Sequence, residues 1–197
     1  NVANFCKEIE IPEIILASTS SIYGDSGENL MVEDKDEKIK PPSVYASTKL
    51  SGESLSKIIL EDTNTNLIIS RFFTVYGPYG RPDMSILRFI HWIINEEKVK
   101  VFGNGEQQRS FTYIKDVVDA LRRMSGLENS HTFNVGSNIT VSLNEVIKLI
   151  EEFSGKNANI ENLERAYKDP DVVRPNLEKI NEATGWEPTT KIQEGSG

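Results

Sequence analysis

Two apolar periodicities alternate along the chain. The runs 13–18 (EIILAS) and 67–73 (LIISRFF) are short, continuous and edged by polar residues, which predicts buried parallel strands. Between them, 43–62 carries Tyr45, Leu50, Leu55, Ile58 and Ile59 at helical spacing, with Pro41-Pro42 just ahead as a helix start. A second helix is predicted over 83–97 from the stripe Ile86, Phe89, Ile90 and Ile93. Short strands follow at 99–102 and 110–114, separated by a turn at 103–106. A helix over 116–127, with Asp116 as its cap, leads to a strand at 132–135. Ser142, with Glu145 three residues on, opens a last helix to 153. The stretches 24–42 and 78–82 read as loops, and 156–197 as a less regular, more polar cap region. Strand and helix alternating in this way predict an α/β fold on a parallel sheet.

Composition narrows what such a fold can do. The chain has 197 residues, enough for one large domain with a small annex, and a net charge of −8. That balance argues against nucleic acid, whose binders present a basic face, while one small anion needs only a local Arg. Cys6 is the only cysteine, so no intrachain disulfide forms; it reads as a small buried hydrophobe, and a reducing, cytoplasmic setting fits. No apolar run approaches the roughly 20 residues of a membrane span, and no signal-peptide pattern opens the chain. His91 and His131 are isolated and make no metal site; the charged run 33–40 reads as a solvated loop. Residue 1 falls inside a helix over 1–8 with no initiator Met, and the chain ends on Gly-Ser-Gly, so the chain reads as part of a longer protein.

Tyr45-Ala46-Ser47-Thr48-Lys49 is the candidate chemistry. Residues four apart share a helix face. A free phenol titrates near pH ~10, and a nearby ammonium favours phenolate, so the pair can serve as a tunable acid/base. Taken alone, the same spacing also describes a packed Tyr beside a solvated Lys. Upstream, the predicted strand at 13–18 ends in Ser18-Thr19-Ser20-Ser21-Ile22-Tyr23-Gly24, a hydroxyl cluster at the end of the sheet where ligands gather in open α/β folds.

In order, Ser-Thr-Ser-Ser-Ile-Tyr-Gly, then Pro-Pro-Ser-Val-Tyr-Ala-Ser-Thr-Lys, then Arg71-Phe72-Phe73-Thr74-Val75-Tyr76-Gly77-Pro78 resembles the NAD-dependent epimerase/dehydratase family of extended short-chain dehydrogenases. The resemblance covers nearly the whole chain. It implies the C-terminal part of a Rossmann-like doubly wound parallel sheet with a small substrate-binding domain. Residues 1–75 and 108–136 would be the partial NAD-binding part, and 76–107 and 137–197 the nucleotide-sugar-binding region. It implies Thr19, Tyr45 and Lys49 as catalytic and cofactor-contacting residues, Thr19 bonding the reacting sugar oxygen and Lys49 the nicotinamide ribose. Phe73 would line the nicotinamide. Val101 and Phe102 would meet the nucleotide base through their backbone, Arg109 the diphosphate, and Asp171 with Arg174 the nucleotide ribose; Lys168 stands where the family has an arginine. It further implies a homodimer built from the helix ending near residue 8 and the helix over 43–62. An isolated chain of this kind would expose an apolar face there.

Two local features bear on the sugar. Ser20 and Ser21 follow Thr19 where related dehydratases carry Asp-Glu and decarboxylases a Glu, which favours oxidation and re-reduction at one carbon, an epimerisation. Thr74-Val75-Tyr76-Gly77-Pro78-Tyr79-Gly80-Arg81-Pro82-Asp83-Met84 resembles the UDP-glucuronate 4-epimerase pattern, with Thr74 and Arg81 on the sugar carboxylate; an Arg fork suits a carboxylate. Arg81 as a plain loop arginine, a neutral-hexose epimerase, a decarboxylase and an inactive nucleotide-sugar-binding remnant stay open. The Gly-x-x-Gly-x-x-Gly turn of dinucleotide-binding folds is absent from these residues, so the chain by itself is expected to bind NAD weakly and to be inactive.

Overall fold

The computed structural model describes residues 1–25, 30–33, 39, 41–164 and 171–194. At its centre, β1 (Glu13–Thr19), β2 (Asn66–Phe72) and β7 (His131–Val135) form one parallel sheet in the order β1-β2-β7. The register pairs Ala17 with Ser70 and Thr19 with Phe72, and Phe72 in turn with Val135, so the carboxyl ends of all three strands lie at one edge. The side-chain period of two divides β2 between two cores. Leu67 and Ile69 pack with Ala3 and Leu60 under the helices α1 (Val2–Glu8) and α2 (Val44–Leu60). Ile68 points the other way, into Phe133, Val135, Val117, Ala120 and Met124. This second face is covered by α4 (Ile114–Met124) and by α6 (Glu178–Thr184), with Ile180 and Trp186 fully buried between them.

A second lobe packs around α3 (Ser85–Ile94) and α5 (Leu143–Ser154). Here β4 (Lys98–Phe102) pairs in parallel with β9 (Asn159–Leu163), and its alternation buries Val99 and Val101 while leaving Lys98, Lys100 and Phe102 outside. Strands β3 (Thr74–Tyr76) and β6 (Phe111–Tyr113) form a short parallel pair. A third small sheet has the order β10-β5-β8, with β5 (Gln108–Arg109) parallel to β10 (Val172–Val173) and antiparallel to β8 (Val141–Ser142). Ser142 caps α5 in a complete capping box with Glu145, and Gly155 ends that helix at φ 67°, a left-handed conformation that glycine adopts without steric cost.

The α/β class and the parallel sheet agree with the expectation, and four details correct it. The expected apolar stripe of α2 faces the core only in part: Tyr45, Leu55 and Ile58 are exposed, whereas Ile59 packs against the core and Ala46, Glu53 and Leu60 are buried. The helix expected over 83–97 is shorter; Met84 is its extended N-cap, and Glu96 at φ 59° turns the chain out of helical geometry. Asp116 does not cap α4. It lies buried in the first turn, where its carboxylate accepts hydrogen bonds from Thr189 Oγ1 (3.2 Å), Thr190 N (3.0 Å) and Thr190 Oγ1 (3.1 Å), tying the C-terminal segment to α4. The tail is more regular than its polarity suggested, because β9, β10 and α6 all lie in it.

Candidate active site

Helix α2 aims its first turn at the carboxyl edge of the sheet. Ser43 fixes the start by accepting a hydrogen bond from Ala46 N at 3.1 Å. One face then presents Tyr45, Lys49 and Glu53 on successive turns. Lys49 Nζ donates to the Ala17 carbonyl at 2.9 Å and lies 6.0 Å from the centroid of the Tyr45 ring. The Tyr45 ring is about half exposed, open to a ligand at the sheet edge. Thr19 ends β1 and caps the 3-10 turn Ser20–Tyr23: its Oγ1 accepts from Ser21 N at 3.2 Å and donates to Ser21 Oγ at 3.2 Å. Thr19 is buried, Ser20 half-buried and Ser21 exposed. Thus α2 and the end of β1 meet through Lys49 and Ala17.

Phe73 follows β2 at the same edge and is buried against Gly136; a Cβ at residue 136 would lie 3.0 Å from the Phe73 ring and 2.9 Å from Pro175. This close approach requires glycine. Thr74 and Arg81 line a cavity of about 200 Å³ with apolar walls from Tyr76, Pro78, Ile86 and Leu87. The Arg81 guanidinium is held by Asp83 in a two-point fork, Nε to Oδ1 at 3.0 Å and Nη2 to Oδ2 at 2.5 Å. The hydrogen bonds that Arg81 donates to Asp83 are the main cause that raises the Arg81 pKa. The same fork lowers the Asp83 pKa. Tyr45 is not among the residues that line this cavity.

Arg109, Asp171 and Arg174 come together at a second place. Val173 pairs with Arg109, and Gln108 N donates to the Asp171 carbonyl at 2.8 Å, so Asp171 and Arg174 flank the strand beside Arg109. Arg109 Nη1 bonds the Gln108 carbonyl at 2.8 Å. Val101 has its side chain in the core and Phe102 is exposed; the Phe102 carbonyl accepts from Gln107 Nε2 at 2.7 Å. Lys168, most of the run 33–40 and the terminal Gly-Ser-Gly lie outside the described residues. His91 is exposed beside Glu97, and the His131 ring stacks on Phe133. Among the described residues no helix is long and apolar enough to cross a membrane.

Sequence reasoning missed the polar residues behind the site. Glu53 and Arg71 form a buried ion pair, Nη2 to Oε2 at 2.7 Å, with both side chains 1% exposed. The signal was present: Glu53 continues the four-residue step from Tyr45 through Lys49, and Arg71 interrupts an otherwise apolar strand.

Residues 1–136 match the NAD dependent epimerase/dehydratase family, and the chain belongs to that family. Over 197 residues it is 36% identical to the UDP-glucuronate 4-epimerase of Thermodesulfobacterium geofontis, covering 99% of this chain and 60% of that protein. It is 31% identical to UDP-glucuronic acid decarboxylase 2 of Arabidopsis thaliana, covering 92% of this chain and 42% of that one. A solved UDP-glucuronic acid 4-epimerase from Bacillus cereus, in complex with UDP-glucuronic acid and NAD, is similar with a TM-score of 0.89 at 30% identity. That match covers 98% of this chain and 62% of the other. MoeE5 in complex with UDP-glucuronic acid and NAD gives 0.92 at 31% identity, covering 98% and 65%. The chain spans about 60% of the length of that curated 4-epimerase relative.

Proposed function

We infer that the complete protein is an NAD-dependent 4-epimerase of a UDP-sugar, interconverting UDP-glucuronate and UDP-galacturonate through a 4-keto sugar. The observation that carries this reading is Arg81: a guanidinium on a cavity wall, already holding one carboxylate in a two-point fork. A hexuronate presents a carboxylate two ring atoms from its reacting hydroxyl, and a planar fork matches it with two parallel hydrogen bonds. The absence of any carboxylate at Ser20 and Ser21 supports epimerisation over decarboxylation or dehydration.

The residues present fit NAD at the sheet edge: a half-exposed phenol, an ammonium pinned at the strand end, and Phe73 packed where Gly136 leaves no side chain. Lys49 would hold the nicotinamide ribose and Phe73 would line the ring. When bound, NAD supplies the reversible oxidation at sugar C4. Tyr45 takes the proton from the sugar 4-hydroxyl and later returns it, with Lys49 favouring the phenolate and Thr19 hydrogen-bonding the same oxygen. Arg109, with Asp171 and Arg174 beside it, anchors the nucleotide while the keto sugar turns over, and Val101 and Phe102 border the base. In this reading 1–75 with 108–136 serve the cofactor and 76–107 with 137–197 the nucleotide sugar. Exposed Val2, Phe5, Leu55 and Ile58 on α1 and α2 support a homodimer through those helices. The 197 residues alone, lacking a glycine-rich dinucleotide turn, bind NAD weakly.

The test is product analysis of the complete gene product with UDP-glucuronate. UDP-galacturonate without release of carbon dioxide is the expected result; a pentose product with carbon dioxide would instead establish a decarboxylase. Arg81→Ala should lower kcat/KM for UDP-glucuronate by roughly 10- to 100-fold, the worth of a charge-assisted hydrogen bond, and leave UDP-glucose turnover nearly unchanged.

A further inference from the structure

Behind the candidate site lies a buried polar network that none of the proton transfers uses. Glu53 sits one helical turn beyond Lys49 on the same face of α2. Arg71, in the middle strand, meets its carboxylate as a fork, Nε to Oε1 at 3.1 Å and Nη2 to Oε2 at 2.7 Å. Ser18 Oγ donates to the same Oε1. Arg71 Nη1 donates to the Tyr23 hydroxyl at 3.1 Å and to the Glu33 carbonyl at 3.2 Å. The Tyr23 hydroxyl donates to Asn134 Oδ1 at 2.7 Å, and Asn134 Nδ2 donates to the Met31 carbonyl at 2.8 Å. Asn134 N donates to Glu33 Oε1 at 2.7 Å. The network joins α2 to all three strands of the central sheet and to the segment around Met31.

Energetics alone do not account for it. A buried ion pair is seldom more stabilising than well-packed apolar side chains of the same volume, because desolvation consumes most of the attraction. What the fork adds is geometry: two parallel bonds fix both the distance and the rotation of the partners. Each partner adjoins a residue of the candidate machinery. Ser18 precedes Thr19, Tyr23 closes the turn that Thr19 caps, and Glu53 lies one turn below Lys49, which itself bonds Ala17.

We propose that Ser18, Tyr23, Glu53 and Arg71 are positioning residues, which set the depth and rotation of α2 against the end of β1 and so hold Tyr45 and Lys49 in register with Thr19. This rests on the reading of Tyr45, Lys49 and Thr19 as the acid/base machinery. A displacement of about 1 Å at such a site can cost on the order of 100-fold in rate, so a network that suppresses it has a kinetic role that its stability does not measure.

The test uses the complete gene product with Ser18→Ala and Tyr23→Phe, which each remove one hydroxyl and leave the Arg71–Glu53 fork in place. Measured well below the unfolding temperature, kcat should fall about tenfold with KM within about twofold of wild type. The acid limb of the pH–rate profile should move to higher pH, because an ammonium held less firmly stabilises the Tyr45 phenolate less. Ser18→Thr, which restores the hydroxyl, should recover most of the rate. Folded variants with unchanged kcat and an unchanged acid limb would overturn the proposal and leave the network a purely structural element, as would a rise in KM alone. Failure of the substrate reading looks different: wild type would then leave UDP-glucuronate unchanged. In that case tyrosinate absorbance, taken as the difference from Tyr45→Phe, reads the Tyr45 titration directly. An upward shift in both variants supports the proposal, and no shift overturns it.

Discussion

Arg71 and Arg81 both hold a carboxylate in a two-point fork, and they differ almost completely in surroundings. Arg71 and Glu53 are each 1% exposed, whereas Arg81 and Asp83 are 75% and 60% exposed. The buried pair has given up its hydration; its carboxylate accepts a further hydrogen bond from Ser18 and its guanidinium donates one to Tyr23, and removing either partner strands a charge where water cannot reach it. The exposed pair has kept its water, is screened by salt, and can separate at little cost. Identical pair chemistry therefore does two jobs. One arginine is a fixed part of the scaffold under the site. The other is a guanidinium on a cavity-lining loop, paired where water reaches it.

The sharpest way to break this comparison is to remove one partner from each pair. Arg71→Ala should destabilise the fold by about 3–5 kcal/mol, the usual consequence of leaving a buried charge unpaired. Arg81→Ala should leave the urea midpoint where it was. Equal losses in the two variants, measured by urea unfolding, would mean that exposure does not separate them.

A smaller effect is expected at alkaline pH. Burial is the main cause that pushes the Tyr23 pKa up to about 12 from its ordinary value of 10.0, and Arg71 opposes it. The folded protein thus keeps this proton where the unfolded chain has lost it. Tyr23 contributes its full stability below pH about 10. Between about 10 and 12 the unfolded state binds fewer protons, so stability falls as pH rises. Tyr76, raised to about 12 in the same way, adds to that slope. Tyr23→Phe should flatten the decline over this window without abolishing it. An unchanged slope in a pH series of denaturant melts would remove Tyr23 from the buried network's energetics.

The same contrast explains what the sequence disclosed. Strands β1 and β2, the stripe of α3 and the Ser142–Glu145 box were legible because each is local: an apolar run, a period or a three-residue step. The apolar face of α2 was misread in part: Ile59 of the stripe packs against the core, but Tyr45, Leu55 and Ile58 are exposed, and the core side of the helix is Ala46, Glu53 and Leu60. Asp116 was read as a cap from its place before a helical run, yet its partners are Thr189 and Thr190, over 70 residues away, with no local trace. Helix α6 (EKINEAT) offers Ile180 and Ala183 as its apolar residues, too few to show a period, although Ile180 is fully buried. The candidate site was legible at Tyr45 and Lys49 from spacing. Arg109, Asp171 and Arg174 were approached only through the family resemblance, because β5 and β10 are two residues each and more than 60 residues apart in sequence.

The finest distinction concerns Asp83. If the exposed fork is exchangeable, Asp83 and the sugar carboxylate compete for one guanidinium, and Asp83→Asn should release it. The apparent KM for UDP-glucuronate should then fall by a factor of about two to five, in keeping with the small worth of surface ion pairs. Neither kcat nor thermal stability should change, and UDP-glucose, which brings no carboxylate, should bind as before. Raising the salt concentration should shrink the difference between wild type and variant, since salt weakens the Asp83 contact that the variant already lacks. The opposite result has a distinct meaning. A rise in KM for UDP-glucuronate would show that Asp83 holds Arg81 in the orientation the ligand needs. The exposed pair would then resemble the buried one in function, as a positioning device, and differ from it only in how little stability it carries.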